Sequence, residues 1–345
     1  MRVVIASTVA PHVKGGARFI VEWLERKLVE HGHEVERFYL PFDDRPEHLA
    51  EQLLALRLMD LSGHGDRLIA IRPPAYLLRH PAKVVWFIHH IRGYYDLACG
   101  PHRLFPDTPE GRAIRDLLHA EDTAGLHEAR AVFSNSDVVG ERLRRYNGIA
   151  SRTLYPPLLA PEAFRCDGYG DEVACVCRME PHKRQELLID AMAYTRTGVR
   201  LRLCGRASAP DHEAALLKRI RRRGVSDKVV FDNRWISEAE KVEIVAGALA
   251  VAYIPLDEDS YGYITLEGAA ARKATITATD SGGTSEFVRH GVNGMVVAPI
   301  PEALAAAMDT LHEDRAMARR LGEAAARTVA ELGIDWDHVI GSLLA

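Results

Sequence analysis

Membrane spans, zinc clusters and a strongly basic surface are all missing from this sequence. No run reaches the roughly 18 consecutive apolar residues that a membrane-spanning helix requires. The five cysteines are odd in number and form no C-x-x-C pair, which argues against a disulfide framework or a zinc cluster and favours reduced thiols in the cytoplasm. A formal net charge of −4 argues against a nucleic-acid-binding protein.

The composition that is present is typical of an ordinary globular protein. Of the 345 residues, 47% are hydrophobic and 27% charged, which excludes a disordered or low-complexity chain. A length of about 150 residues per domain predicts two domains. Met1–Ile5 indicates the start of a strand rather than a signal peptide. The arginine-rich stretch Val138–Tyr146 is most simply a solvated helix face, and a weak peripheral contact with the inner face of a membrane is left open.

Short apolar runs alternate with amphipathic helical patterns along the chain. The strands predicted in the first half are Arg2–Ala6, Glu34–Tyr39, Leu68–Ile71, Val84–Ile88, Ala131–Phe133 and Thr153–Tyr155. The strands predicted in the second half are Glu172–Val176, Val199–Cys204, Lys228–Phe231, Leu249–Ile254, Ala274–Thr279 and Gly294–Val297. The helices predicted there are His182–Ala193, Asp211–Arg222, Ser237–Val245, Ile264–Ala271, Thr284–His290, Pro301–Leu311 and Trp336–Leu344. Two such alternations predict an α/β protein with two doubly wound parallel sheets, whose ligands bind at the carboxyl ends of the strands.

The domain boundary is predicted at Pro156-Pro157, a pair of prolines that Pro161 follows. We therefore expect an N-terminal domain over residues 1–157 and a second domain over residues 158–330. Residues 331–345 form a terminal helical segment in this interpretation.

A glycine pair, Gly15-Gly16, stands where the first strand turns into the first helix. Glycines at this point allow backbone N–H groups to approach an anion, and the helix N-terminus adds partial positive charge. The pair is not G-x-G-x-x-G, so dinucleotide binding is poorly supported. A simple tight turn is the alternative.

Two cations, Arg178 and Lys183, follow the predicted strand Glu172–Val176. Lys183 is expected in the first turn of the next helix, where a cation opposes the helix dipole. An anionic ligand accounts for that placement better than helix stability does. The alternative is a solvated lysine and an arginine that pairs with Glu180 or Glu186.

The segment Asp259–Glu267 places one carboxylate in a loop and another in the following helix, with Tyr261-Gly262-Tyr263 at the helix start. Carboxylates accept hydrogen bonds from hydroxyls, while free N–H groups at a helix start suit phosphate. A sugar nucleotide would satisfy both kinds of group. Asp257 and Asp259 also form D-x-D, which can hold a divalent metal, but short acidic runs are common in loops.

With these motifs in place, the chain resembles the GT-B fold glycosyltransferases of the retaining family 4 group, which includes bacterial mannosyl-, glucosyl- and rhamnosyltransferases. The resemblance covers nearly the whole length and is strongest over Val173–Pro299. In the second half, Cys177-Arg178-Met179 with Lys183 matches the family pattern G-R-L-x-x-x-K, and Asp259–Gly262 with Glu267 matches E-G-F-G-x-x-x-x-E. Asp280–Glu286 matches D-x-G-G-x-x-E, and Gly291–Gly294 stands in place of D-G-x-N-G. In the first half, Gly15-Gly16 matches the glycine loop, His89 the histidine after a strand, and Ser136 the serine after a later strand.

Three positions differ from the family pattern. Asp259 stands in place of a glutamate, Ser260 in place of a glycine, and Cys177 in place of the glycine before the arginine. The aspartate side chain is one methylene shorter than glutamate, so the contact with the donor sugar is the part of the resemblance that it affects.

The resemblance implies two Rossmann-like domains that face a cleft, with the helix of residues 331–345 packing back on the N-terminal domain. It implies transfer of a hexose-type sugar from a UDP- or GDP-sugar to a hydroxyl acceptor, in glycan, glycolipid or polysaccharide biosynthesis in the cytoplasm. The acceptor could be a glycan, a lipid-linked sugar or a small metabolite. No metal and no further cofactor are implied.

The resemblance also implies a role for each candidate residue. Arg178 and Lys183 are assigned to stabilise the negative charge of the leaving diphosphate. The N–H groups at the helix start Gly262–Ile264, which includes Tyr263, and the glycine loop Gly15-Gly16 are assigned to assist them. Contacts with the sugar, the ribose and the base are assigned to Asp259, Glu267 and Trp235, with Tyr261 beside them. His89 is placed near the transferred sugar, with His90 as the alternative, and His12 is left unassigned.

Retention of anomeric configuration can use a carboxylate nucleophile, as in retaining glycosidases, but no acid in the N-terminal half has a motif that marks it. The resemblance implies a same-face reaction instead, in which the departing phosphate takes the acceptor proton. Three other functions stay open: a GT-B epimerase, a phosphorylase with pyridoxal phosphate on a lysine, and a sugar-nucleotide-binding protein without turnover, which Asp259 would favour.

Overall fold

The computed structural model describes residues 1–9, 15–100 and 102–345. These residues form two compact units, one of residues 1–156 with 334–345 and the other of residues 157–333. The chain leaves the first unit between Pro156 and Pro157 and returns to it at Ile334. Each unit contains a six-stranded sheet together with helices.

In the first unit, the strand order is β2-β1-β3-β4-β5-β6 and neighbouring strands run parallel. The strands and helices are β1 (Arg2–Val9), α1 (Gly16–Glu30), β2 (Glu34–Pro41), α2 (Pro46–Leu58), β3 (Arg67–Ala70), β4 (Lys83–Phe87), α3 (Pro109–His127), β5 (Ala131–Ser134), α4 (Asp137–Asn147) and β6 (Arg152–Thr153). β3 and β4 are buried along their whole length, which explains why they are continuous apolar runs after Arg67 and Lys83 at their starts.

Short polar residues fix the ends of the helices. The Ser136 hydroxyl accepts a hydrogen bond from the Val139 N–H at the start of α4, and Gly148 ends this helix with a φ of 66°. In the second unit, Ser237 and Glu240 form a reciprocal capping box at the start of the helix Glu238–Gly247. These residues determine where the helices begin at the carboxyl edges of the sheets.

In the second unit, the strand order is β12-β11-β10-β7-β8-β9, again with parallel neighbours. The strands and helices are β7 (Glu172–Val176), α5 (Gln185–Met192), β8 (Arg200–Cys204), α6 (Pro210–Arg223), β9 (Val229–Asp232), α7 (Glu238–Gly247), β10 (Ala250–Ala252), α8 (Tyr263–Ala270), β11 (Ala274–Ala278), α9 (Thr284–Phe287), β12 (Gly294–Val297), α10 (Pro301–Glu313) and α11 (Arg315–Glu331).

The terminal helix α12 (Trp336–Leu344) packs within the first unit. The Trp336 ring meets the buried Trp86 ring of β4 edge-on, with the ring centroids 6.5 Å apart. Arg67 of β3 donates to the Leu344 carbonyl at 2.8 Å and so satisfies an acceptor at the end of the helix.

The prediction of two doubly wound parallel sheets is confirmed. The bounds of β7, β12 and α12 are those predicted, whereas β10 is only three residues long and α5 begins three residues later than predicted. The 17-residue helix α11 was missed. Within the described ranges, no helix has both the length and the apolarity needed to cross a bilayer.

Candidate functional site

The second sheet has a topological switch point between β7 and β10. The chain proceeds from β7 to β8 and β9 on one side of this point, and from β10 to β11 and β12 on the other. In open α/β sheets, ligands bind outside the carboxyl ends of the strands at such a point. The loops that follow β7, β10 and β11 meet there, and these loops together with α8 contain most of the predicted donor-binding residues.

Lys183 is the most buried cation of these loops. Its side chain is 10% exposed, and its ammonium donates to the Tyr253 hydroxyl at 2.6 Å and to the Glu258 carboxylate. The prediction that Lys183 lies in the first turn of α5 is wrong. It lies in the 3₁₀ turn Pro181–Lys183, because Arg184 adopts a left-handed conformation (φ 55°, ψ 38°) that separates this turn from the helix.

Glu258 is the counterion of Lys183, and sequence reasoning missed it. The Tyr253 hydroxyl also donates to Glu258, at 3.0 Å, so lysine, phenol and carboxylate form a closed triangle. Burial raises the pKa of Glu258, but the Lys183 charge and the hydrogen bonds of Lys183 and Tyr253 outweigh burial and hold that pKa below its usual value. The triangle therefore holds one positive and one negative charge.

Arg178 is placed differently from Lys183. Its side chain is 49% exposed, and its guanidinium forms an ion pair with Glu180 at 3.0 Å. An ion pair between Arg178 and Glu180 is what the alternative to an anionic ligand predicts from the sequence. The Gln185 amide donates to the Arg178 carbonyl at 3.1 Å, which fixes the backbone of the loop while the guanidinium stays accessible to solvent.

The N-terminus of α8 lies over the Tyr253 ring. Gly262 precedes the helix with a φ of 72°, and a Cβ atom on it would overlap that ring. No side chain caps this helix start in the part of the chain that the structure describes. Position 262 therefore requires glycine, because the backbone is left-handed there and because the Tyr253 ring approaches closely. The hydroxyl of this tyrosine is the one that accepts from the Lys183 ammonium.

The loop after β11 is tied to the loop after β10 through backbone and side-chain bonds. The Asp257 N–H donates to the Asp280 carbonyl, and the Gly283 N–H donates to the Glu258 carbonyl, each at 2.9 Å. The Arg184 guanidinium binds both Asp280 carboxylate oxygens at 2.7 Å and the Ile254 carbonyl at 2.7 Å. Arg184 was missed in the sequence, and it is the side chain that joins all three loops.

Glu267 is buried in α8 and forms an ion pair with Lys241 of α7 at 2.5 Å. Burial raises the pKa of Glu267, although the Lys241 charge opposes that rise. Lys241 also pairs with Glu238 at 2.9 Å. Lys241 was missed as well: its i, i+3 spacing from Glu238 is visible in the sequence, but nothing there connects it to Glu267.

The remaining candidates of the second unit lie around these contacts. Asp259 follows Glu258 in the loop after β10, where its carbonyl is close to Gly283. Tyr261 is buried against Phe287, with ring centroids 6.2 Å apart, and Ile264 is buried in the first turn of α8. Trp235 is half-exposed between β9 and α7.

The candidates of the first unit lie at the carboxyl edge of its sheet. His89 follows β4, and its Nδ1 donates to the His90 carbonyl at 2.8 Å. His90 is buried and donates from Nε2 to Asn147, and burial lowers its pKa to about 4, so it has the contacts of a structural residue. Gly15 precedes α1 and Gly16 opens it.

Two further candidates of the first unit are Ser136 and His12. The Ser136 hydroxyl is used as the cap of α4. His12 lies outside the described residues. Among the described residues, no three His, Cys, Asp or Glu side chains come together as a metal site.

Comparison with known proteins agrees with this architecture. Residues 167–328 match the family model described as glycosyl transferases group 1. D-inositol 3-phosphate glycosyltransferase of Jonesia denitrificans is 26% identical over 54% of this chain and 43% of its own length. The lipopolysaccharide core biosynthesis mannosyltransferase LpcC of Rhizobium leguminosarum bv. viciae is 28% identical over 58% of this chain and 59% of its own length. The chain thus spans about half the length of these curated relatives.

Solved structures match over almost the full chain. HepE of Anabaena in complex with UDP has a TM-score of 0.71 at 19% identity, and the match covers 99% of both chains. Sucrose-phosphate synthase of Thermosynechococcus elongatus has a TM-score of 0.76 at 17% identity, covering 99% of this chain and 98% of that one. Residues 167–328 thus match the glycosyl transferases group 1 model, and the structural matches show that the two Rossmann-like units have the GT-B fold.

Proposed function

We propose that this chain is a metal-independent, retaining glycosyltransferase that moves a hexose-type sugar from a UDP- or GDP-sugar to a hydroxyl acceptor. The observation that carries the proposal is the meeting of the loops after β7, β10 and β11 at the switch point of the second sheet, where the buried Lys183 ammonium contacts residues that follow β10. Support comes from the family match over this unit and from the structural relative HepE, whose structure in complex with UDP-glucose matches at a TM-score of 0.72.

The proposed chemistry is electrostatic stabilisation of a nucleoside diphosphate leaving group. As the bond between the anomeric carbon and the phosphate oxygen breaks, negative charge grows on the diphosphate. Lys183, already desolvated and held by Tyr253, would take the largest share of that charge, with N–H groups at the start of α8 beside it. Arg178 would leave Glu180 to reach the phosphates, since it is half-exposed.

Glu258 must share Lys183 with the incoming diphosphate. A phosphate at Lys183 would face the Glu258 carboxylate, which is a like-charge contact. Donor binding therefore involves either movement of Glu258 away from Lys183 or proton uptake by Glu258. Either event lowers donor affinity relative to a site that lacks this acid.

The other donor contacts are assigned as follows. Glu267 would accept from the ribose hydroxyls, with the Lys241 ammonium beside its carboxylate. Asp259 would accept from a hydroxyl of the donor sugar, and Trp235 would lie against the base. The role of His89 at the transferred sugar stays a prediction from the resemblance.

For retention we propose a same-face reaction. The acceptor oxygen bonds to the anomeric carbon on the side from which the diphosphate leaves, and the acceptor proton passes to a phosphate oxygen of the departing diphosphate. Atoms and charge balance without an enzyme nucleophile, and the protein supplies orientation and positive charge.

Nucleotide binding followed by a turnover assay tests the proposal. Thermal unfolding would be measured with UDP, GDP, ADP and dTDP, because a ligand at 100 times its dissociation constant stabilises a protein by about 2.7 kcal/mol. We expect UDP or GDP to stabilise the protein and Lys183→Ala to lose the effect, while Lys218→Ala in α6 keeps it. Transfer from the matching nucleotide sugar then separates an enzyme from a binding protein, and release of an epimerised sugar would reveal an epimerase.

A further inference from the structure

The first sheet also has a topological switch point, between β1 and β3. The chain goes from β1 to β2 on one side of β1 and continues from β3 to β4 on the other. Two hydrogen bonds join the ends of these strands: the Ile71 N–H donates to the Ala6 carbonyl at 3.0 Å, and the Thr8 hydroxyl donates to the Pro73 carbonyl at 2.9 Å. The residue between these two anchored positions is Arg72.

Among the described residues, Arg72 is a partly buried cation with no acid within ion-pair distance. Its Nε atom is buried and has no hydrogen-bond partner in the described structure, and its one recorded hydrogen bond is a long one of 3.4 Å to the Thr8 carbonyl. Asp44 is the acid whose charge acts on it, yet Asp44 lies beyond the 4.0 Å of an ion pair. Residues 10–14, which lie outside the described ranges, contain no acid in the sequence.

Lys183 and Arg184, the buried cations of the candidate site in the second unit, differ from Arg72 in that each has a carboxylate counterion. Lys183 has Glu258, and Arg184 has both oxygens of Asp280. Burial of a cation costs free energy unless an anion or several hydrogen bonds compensate for it. Burial accordingly lowers the pKa of Arg72, with only the distant Asp44 opposing that shift.

A second feature at this edge also favours negative charge. The 15-residue helix α1 starts at the carboxyl end of β1, and neither a capping side chain nor an acidic residue in its first turn neutralises its N-terminus in the described structure. Its first full turn contains Arg18 instead, which pairs with Glu22 at 2.7 Å.

We propose that Arg72 binds an oxyanion, a phosphate or carboxylate group of a substrate, at the carboxyl edge of β1 and β3. The guanidinium offers its Nε and terminal N–H groups in the planar geometry that suits such a group. The anion belongs either to the nucleotide-sugar diphosphate or to an acceptor that is itself anionic. That choice of source rests on the proposed function, whereas binding of the anion does not.

The first experiment measures inorganic phosphate binding by thermal unfolding in the absence of nucleotide, and a repeat with UDP at saturation shows whether the nucleotide competes with phosphate for Arg72. We expect phosphate to stabilise the wild-type protein, and the half-saturating phosphate concentration to rise about tenfold in Arg72→Gln, the factor that one charge-assisted hydrogen bond contributes. Arg72→Lys keeps the charge and should give an intermediate value. Arg79→Gln, at a half-exposed arginine that pairs with Asp60, should behave as wild type.

A purely structural role for Arg72 has a different signature. If Arg72 serves only to hold the Thr8 carbonyl, Arg72→Gln lowers the melting temperature in phosphate-free buffer and leaves the phosphate response unchanged, and the proposal is wrong. We expect the reverse, an equal or higher melting temperature without phosphate, because the variant removes an uncompensated cation.

The second experiment identifies the source of the anion. A rise in the dissociation constant of UDP or GDP in Arg72→Gln assigns the anion to the donor. An unchanged nucleotide affinity, with a raised KM for a sugar phosphate monoester but not for the neutral sugar, assigns it to the acceptor. If no nucleotide binds to the wild type, the proposed function fails, but the phosphate titration without UDP still tests Arg72.

Discussion

The ammonium of Lys183 and the carboxylate of Glu258, 75 residues apart in the chain, form a buried ion pair that the Tyr253 hydroxyl closes into a triangle. The lysine assigned to the donor diphosphate thus has an internal anion already bound to it. Affinity for a nucleoside diphosphate is then set by a competition between two anions for one cation.

Replacing the internal anion should strengthen nucleotide binding. In Glu258→Gln the diphosphate no longer faces a carboxylate, so we expect about tenfold tighter binding of UDP or GDP, which corresponds to roughly 1.4 kcal/mol. Isothermal titration calorimetry measures this directly. Glu243→Gln, at a glutamate of α7 that pairs with Arg165 on the surface, serves as the control and should leave affinity unchanged. Weaker binding in Glu258→Gln would show that the acid helps to hold the donor.

Removing the cation should cost both stability and activity, and a double variant separates the two. Lys183→Ala leaves Glu258 uncompensated, and breaking a buried pair from one side typically costs about 3–5 kcal/mol. Adding Glu258→Gln should restore most of the free energy of unfolding in urea. Transfer should stay reduced about 10²-fold or more in both variants, because the positive charge at the leaving group is gone. Recovery of transfer in the double variant would exclude Lys183 from the chemistry.

Glu267 should control recognition of the ribose. The wild type is expected to bind UDP or GDP more tightly than the 2′-deoxy or 3′-deoxy analogue, and Glu267→Gln should reduce that preference about tenfold by weakening the charge-assisted hydrogen bond. Lys241→Met should lower the free energy of unfolding, since it leaves Glu267 buried without its cation. Full discrimination between ribose and deoxyribose in Glu267→Gln would move this contact to another residue.

Transfer should persist when divalent metals are chelated. Lys183 and Arg178 supply positive charge at the proposed leaving group without a metal. We therefore expect unchanged initial rates in EDTA, measured against a sample with added Mn²⁺ or Mg²⁺. If activity is lost in EDTA and restored by either ion, Asp257 and Asp259 become metal ligands and the proposed mechanism fails.

The sequence predicts the sheets well because their signals are local. Strands such as β7 and β12 are short, mostly apolar runs, and their bounds follow from those runs alone. The motif residues Lys183 and Asp259 lie in loops that follow β7 and β10, and Glu267 lies in the helix after β10.

The errors and omissions have a long-range origin. Helix α5 was predicted from His182 because a left-handed arginine at position 184 is rare; bonds from its guanidinium to Asp280 and Ile254 hold it there. Lys241 and Glu258 form ion pairs with Glu267 and Lys183, which lie 26 and 75 residues away in the sequence. Periodicity within a window of residues carries no information on such pairs.

A buried carboxyl in the first unit should give the protein a distinct pH dependence. Asp122 of α3 is buried and accepts a hydrogen bond from the Tyr95 hydroxyl at 2.6 Å, and burial raises its pKa to about 7. A raised carboxyl pKa stabilises the folded state fully below about pH 4, and this contribution is lost as the pH rises through 7, at up to about 1.4 kcal/mol per pH unit. Urea unfolding of Asp122→Asn should therefore show a flatter pH profile than the wild type between pH 5 and 7.5, and Asp116→Asn, at an exposed position of the same helix, should follow the wild type. Parallel profiles for the wild type and Asp122→Asn would mean that Asp122 is ionised throughout this range.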